Sequence, residues 1–157
     1  MTATPSLRLA ELGLVLPAVA APVAAYVPAV RSGAYVHTSG QLPFVEGGLP
    51  ATGKVGQGAG LVDPDTARGL ARISALNAIA AAADVAGGID HIVRVVKVVG
   101  FVASDPAFTG QPGVINGASE LLHDVFGAAG VHARSAVGVA VLPLDSSVEV
   151  EIVVEVA

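Results

Sequence analysis

Cysteine and tryptophan are absent from the 157 residues, and the aromatic content is limited to two tyrosines and four phenylalanines. Without cysteine there is no disulfide scaffold, no thiolate nucleophile and no thiolate metal ligand. Charge is also scarce: eight Lys and Arg stand against thirteen Asp and Glu, for a net charge of −5. An acidic chain without a basic stripe lacks the phosphate-neutralising contribution that dominates nucleic-acid binding, so nucleic acid is not expected as a partner. No apolar run approaches the roughly 20 strongly apolar residues of a bilayer-spanning helix. The nearest candidate, residues 73–83, is mostly alanine and reads as a close-packed buried helix, so no membrane association is expected. No basic stretch followed by an apolar core and a cleavage site opens the chain, and a cytoplasmic location is the expectation. Walker loop, dinucleotide fingerprint, nucleophile elbow and paired histidines at metal-ligand spacing are all missing. His37, His91, His123 and His132 are scattered and read as surface or hydrogen-bonded structural groups; no metal is expected.

What is abundant is small and apolar: 53% of residues are hydrophobic and 19 are glycine. The length suits a single domain, 1–157, and the apolar excess beyond one core points to burial between subunits. Residues 1–23, with prolines at 17 and 22, read as an extended N-terminal arm with at most a short turn of helix. Residues 26–31 and 34–41 read as two strands joined through Ser32-Gly33. The segment 46–60, EGGLPATGKVGQGAG, holds six glycines and reads as an exposed loop and candidate lid. Asp63-Pro64 supplies an N-cap and a first-turn proline, and Gly87-Gly88 a stop, which predicts a helix over 64–86. Residues 92–102, IVRVVKVVGFV, are β-branched and almost continuously apolar, as expected of a central strand covered on both faces. A second helix is predicted over 113–126, then strands over 135–142 and 147–156 joined as a hairpin by residues 143–146. In the last strand Glu149, Glu151 and Glu155 share one face. The order is β-β-α-β-α-β-β.

Arg134 sits in His-Ala-Arg-Ser at a strand start, among small neighbours that leave its planar fork reachable by a carboxylate. An ordinary pairing with a nearby glutamate would serve it as well. Glu149 could position water or move a proton, although a row of glutamates on a strand also confers solubility. If the last two strands form a hairpin, Glu149 falls opposite Ala140, on the order of 20 Å from Arg134 at about 3.3 Å per residue. On that spacing the two serve one pocket only if they come from neighbouring subunits.

Several segments together resemble the RidA/YjgF family of small trimeric proteins, also called L-PSP endoribonuclease-like: Tyr26-Val-Pro-Ala-Val, Thr38-Ser39-Gly40-Gln41-Leu-Pro, Asn77, Val114-Ile-Asn116, Ala133-Arg134-Ser135, Leu142-Pro143 and Val148-Glu149-Val-Glu151. The resemblance implies an α/β (α+β) chorismate-mutase-like domain, a mixed sheet with two helices on one face, assembled as a homotrimer with clefts between subunits. It implies a cofactor-free hydrolytic deaminase of reactive 2-imino or enamine acids, giving 2-keto acids and ammonia. Arg134 would clamp the carboxylate of a small ligand, Ser39 and Gly40 would contact it, and Tyr26 and Asn116 would line the pocket. Glu149 and the backbone carbonyl of Ala136 would orient the attacking water. Ala136 stands where many members have cysteine, and Pro28 where many have glutamine, as in a divergent subgroup. A non-catalytic, small-carboxylate-binding or regulatory module of the same fold is the alternative. A ribonuclease is disfavoured by the acidic charge balance and by the absence of a histidine pair at the inferred site.

Overall fold

The computed structural model describes residues 3–19, 21–22 and 24–157. Among the described residues three α-helices and five strands follow in the order α1 (Pro5–Glu11), β1 (Ala29–Ser32), β2 (Tyr35–Thr38), α2 (Pro64–Ala86), β3 (Ile92–Ala103), α3 (Gln111–Phe126), β4 (Ala133–Val139) and β5 (Val148–Val156). The strands form one mixed sheet in the order β1-β2-β5-β3-β4, with β4 parallel to β3 and the other pairings antiparallel. Helices α2 and α3 pack on one face of this sheet. This is the α+β chorismate-mutase-like architecture expected from the sequence.

Local signals carried α2 completely. The Asp63 carboxylate accepts from the Thr66 amide at 2.9 Å and from its hydroxyl at 2.6 Å, Pro64 fills the first turn, and Gly87 closes the helix at φ 83°. Its alanines, Ala67, Ala71, Ala75 and Ala78 among them, are fully buried, letting the helix approach sheet and neighbour closely. By length and composition α2 could cross a membrane, but 67% of its most apolar window is buried inside the protein, so it serves as the core helix. At the α2–α3 contact the backbone of Gly117 faces the carbonyl of Arg68 so closely that an added Cβ would lie 2.0 Å from that oxygen. Flanking this contact, Arg68 pairs with Glu120 and Arg72 with Asp124.

Four expectations need correction. The arm is not merely extended: α1 makes two turns, capped by Thr4, and the Ser6 amide and hydroxyl are held by Asp90 at 2.9 and 2.6 Å. Leu9 is buried, and Leu14, Leu16 and Val19 pack on the core; positions 1, 2, 20 and 23 of the arm lie outside the described residues. The hairpin turn is Gly33-Ala34, because Ser32 pairs with Tyr35, and its strands are shorter than expected. Within one chain, strand β3 is covered on one face only: Val95, Val98 and Val102 are buried under the helices, while Val93 is 50% exposed. Lastly, β4 and β5 do not form a hairpin. Residues 143–146 make a tight turn containing Leu144 and Asp145 at φ 57° and 56°, and this turn carries the chain across the end of β3. There the Ala103 amide donates to the Ser147 carbonyl at 2.9 Å, and β5 enters on the far side of β3 from β4.

The glycine-rich segment is tied down as well. The Val55 amide donates to the Ala103 carbonyl at 2.7 Å, the Gly53 amide to the Asp145 carbonyl at 2.8 Å, and the Ser147 hydroxyl to the Gly53 carbonyl at 2.6 Å. Val55 and Gly56 are buried, and residues 57–60 beyond them form one exposed stretch of the segment.

Candidate functional site

The residues singled out in the sequence fall into two groups on either side of β3. The first is built on the edge strand β4 and on α3. Arg134 pairs with Val98 in register and so points to the helix side of the sheet. There its Nη1 donates to Asn116 Oδ1 at 2.8 Å and to Ser119 Oγ at 3.2 Å, and its Nη2 donates to the Pro112 carbonyl at 3.3 Å. Three of the five guanidinium N–H donors are thereby held. The two without a partner among the described residues are Nε–H and one on Nη2, the pair that forms a side-on fork for a carboxylate. Ala136, two residues further on, lies on the same side of β4 and packs against the core.

Two more residues complete this group: Ser119, not singled out in the sequence, and His132, one of the histidines read there as surface or hydrogen-bonded structural groups. Ser119 Oγ lies 2.9 Å from His132 Nε2, and His132 Nδ1 lies 2.6 Å from the Gly130 carbonyl. A carbonyl can only accept, so Nδ1 carries the proton and Nε2 accepts from the Ser119 hydroxyl. Burial holds the His132 pKa below its ordinary value; the Gly130 hydrogen bond opposes this and the Arg134 charge adds to it. The available signal was one of spacing: Ser119 is one helical turn from Asn116, and His132 is two residues before Arg134, immediately ahead of β4.

The second group lies where β2 runs out beside β5. Ser39 clips the chain entering β1, its hydroxyl donating to the Val27 carbonyl at 2.6 Å and its amide to the Pro28 carbonyl at 2.8 Å. Gln41 then exchanges backbone hydrogen bonds with Val150, which lays Gly40 directly against Glu149. A Cβ on Gly40 would lie 1.8 Å from Glu149 Oε1, so only glycine leaves the carboxylate its place. Desolvation raises the Glu149 pKa, and the neighbouring Glu151 charge raises it further. Tyr26, 44% exposed, stands beside Pro28, Gly40 and Gln41 around a depression of about 30 Å³. That space suits a water or two and no substrate. A cavity of about 530 Å³ between Pro17, Phe44, Gly47 and Asn77 is lined by neither group. Asn77 is a structural pin, its amide donating to the Leu42 and Phe44 carbonyls at 3.0 and 3.1 Å.

Within one chain the groups do not meet. Arg134 is level with Val98 of β3 and Glu149 with Phe101, on opposite faces of the sheet. Three residues along and two strand spacings across put their Cα atoms on the order of 14 Å apart. Among the described residues no cluster of His, Asp or Glu could hold a metal ion.

A β-β-α-β-α-β-β sheet domain with an arginine fork on edge strand β4 and a glycine-backed carboxylate on central strand β5 defines a small chorismate-mutase-like protein. Residues 6–156 match the family model described as "YjgF/chorismate_mutase-like, putative endoribonuclease", and the chain belongs to this family. Protein TCP17 of Trypanosoma cruzi is 45% identical over 149 residues, covering 94% of this chain and 91% of that protein. A Shewanella oneidensis protein described in its crystal structure as a "putative endoribonuclease" is 33% identical with a TM-score of 0.92, covering 98% of this chain and 100% of that one. E. coli TdcF, solved with bound serine, is 27% identical with a TM-score of 0.63, covering 87% of this chain and 91% of that one.

Proposed function

We propose that the protein is a cofactor-free hydrolytic deaminase of small 2-imino or enamine acids, acting as a homotrimer whose clefts join the Arg134 group of one subunit to the Glu149 group of the next. The observation that carries this reading is the Arg134 guanidinium, fixed by Asn116, Ser119 and the Pro112 carbonyl with a carboxylate-matched edge left over. That E. coli TdcF holds serine, itself a small carboxylate, supports it. So does the uncovered face of the sheet, where Val93 and Val137 stay 50% and 43% exposed and apolar contact with other subunits would cover them.

In this reading Arg134 grips the substrate carboxylate side-on and sets the adjacent iminium carbon in place. Ser39 and Gly40 contact the ligand, while Tyr26 and Asn116 line the cleft. Glu149, with its raised pKa, orients a water together with the Ala136 carbonyl and accepts a proton as the water attacks. Carbon–nitrogen cleavage of the resulting carbinolamine releases the 2-keto acid and ammonium, the two protons leaving the water oxygen ending on the iminium nitrogen. An iminium carbon is already electrophilic, so positioning and water placement are the main demands.

The test is keto-acid release from freshly generated 2-aminoacrylate and bulkier imino acids, timed against spontaneous hydrolysis. The protein should accelerate release, Arg134→Ala should abolish the acceleration, and Arg134→Lys should recover little, because a point charge cannot reproduce the two-pronged geometry. Wild-type rates in the lysine variant would overturn the clamp.

A further inference from the structure

Arg134, Ser119 and His132 form one directional chain. Arg134 Nη1–H donates to Ser119 Oγ at 3.2 Å, the Ser119 hydroxyl donates to His132 Nε2 at 2.9 Å, and His132 Nδ1–H donates to the Gly130 carbonyl at 2.6 Å. Every donor in the chain has an acceptor only while the imidazole is neutral. A second proton, on Nε2, would reverse the bond to Ser119. The hydroxyl would then face two cationic donors at once and turn its own hydrogen away. It would also place an imidazolium and a guanidinium no more than about 6 Å apart, bridged by one oxygen atom in a partly buried setting.

From this geometry we infer that Ser119 and His132 are positioning residues for the carboxylate clamp: a carboxylate on Arg134 and a proton on His132 bind cooperatively. The inference rests on reading Arg134 as that clamp. An anion on the free Nε and Nη2 edge neutralises the guanidinium and removes the repulsion that an imidazolium would meet. By linkage a protonated His132 must strengthen carboxylate binding by the same factor. The other groups around His132 do not replace this coupling. His123 lies one turn beyond Ser119 on α3, while Tyr35, Arg94 and Glu155 ring a shallow depression on the other side. Arg134 is the one whose charge acts on His132 appreciably. The consequence is a site that takes up a proton with its ligand and holds small carboxylates better in mildly acidic than in alkaline solution.

The experiment uses pyruvate as probe and the intact protein. Pyruvate affinity is measured by calorimetry between about pH 5.5 and 8, where its carboxylate stays ionised and an ordinary histidine titrates. The His132 ring is followed by NMR over the same range. Wild-type affinity should rise several-fold, up to about tenfold, as pH falls through the His132 titration, with proton uptake on binding. Saturating pyruvate should move the His132 titration upward. His132→Gln, which keeps a hydrogen-bonding partner for Ser119 but does not titrate, should flatten the pH dependence. Arg134→Gln should shift the His132 titration upward without any ligand. A pyruvate affinity with the same pH dependence in wild type and His132→Gln, or a His132 titration unmoved by Arg134→Gln, overturns the inference. Normal proton-linked pyruvate binding without keto-acid release from imino acids would instead count against the deaminase reading and leave the coupling standing.

Discussion

Replacing Gly40 by alanine should separate activity from stability. The new Cβ would lie 1.8 Å from Glu149 Oε1, 2.6 Å from Cδ and 2.9 Å from Cγ, whereas ordinary contact begins near 3.4 Å. The carboxylate must therefore move by well over an ångström, and a misplacement of about 1 Å in a positioned catalytic group costs on the order of 100-fold. The fold should barely register the change. The obstructing atoms are the end of a flexible side chain, and Gly40 is not among the glycines at positive φ. Pushing Glu149 off its preferred rotamer costs about 0.5–1.5 kcal/mol, which corresponds to a melting shift of roughly 1–6 °C in a chain of this size. Keto-acid release and a thermal melt on the same preparation decide the matter. Near wild-type turnover in a folded Gly40→Ala protein would show that the Glu149 position seen beside Gly40 is not the working one. A melting temperature lowered far beyond that range would show that the clash reaches the backbone.

Two further substitutions of the same chemical kind should have opposite signs. Gly117→Ala drives a methyl to within 2.0 Å of the Arg68 carbonyl, where only backbone can give way, and should cost about 1–3 kcal/mol by overpacking; Gly69→Ala, exposed on α2 with nothing within 4 Å, should gain about 0.5–1 kcal/mol. Urea unfolding measures both. Glu149→Gln should become relatively more stable as pH rises, compared in the Arg134→Ala background so that no guanidinium from a neighbouring subunit offsets the effect. A carboxyl whose folded pKa is raised favours the fold below its unfolded value, near 4.3, and loses that contribution as pH rises through the folded pKa. The melting difference should therefore be absent below about pH 4 and positive at neutral pH; a difference that does not change with pH would refute the desolvation account.

Features encoded within a few residues were legible in the sequence. Helix α2 was, because Asp63, Pro64 and Gly87 act on their own turns. The β1–β2 hairpin was legible to within one residue, since Gly33 serves either register of the turn and the pairing of Ser32 with Tyr35 decides between them. The partner of β4 was not legible. Pairing with β3 or with β5 is a choice between strands of similar apolar character, and it is settled where residues 143–147 cross the end of β3. The separation of Arg134 from Glu149 was expected, but for a hairpin that does not exist; β3 lying between them is the reason. The pairing of Ser119 with His132 was not legible because the two meet only when the end of α3 folds back beside the start of β4. The two turns of α1 did have a local signal, Thr4 at the N-cap and Pro5 in the first turn, whereas the contact of Ser6 with Asp90, 84 positions away, had none.

The proposed site draws Arg134 from one subunit and Glu149 from another. Inactive Arg134→Ala chains and inactive Glu149→Gln chains, mixed in equal amounts and allowed to exchange subunits, should recover imino-acid hydrolysis. In randomly assembled closed trimers about one interface in four would collect both intact residues, so roughly a quarter of wild-type activity is the expected yield. No recovery after verified subunit exchange would show that the two residues do not share a site.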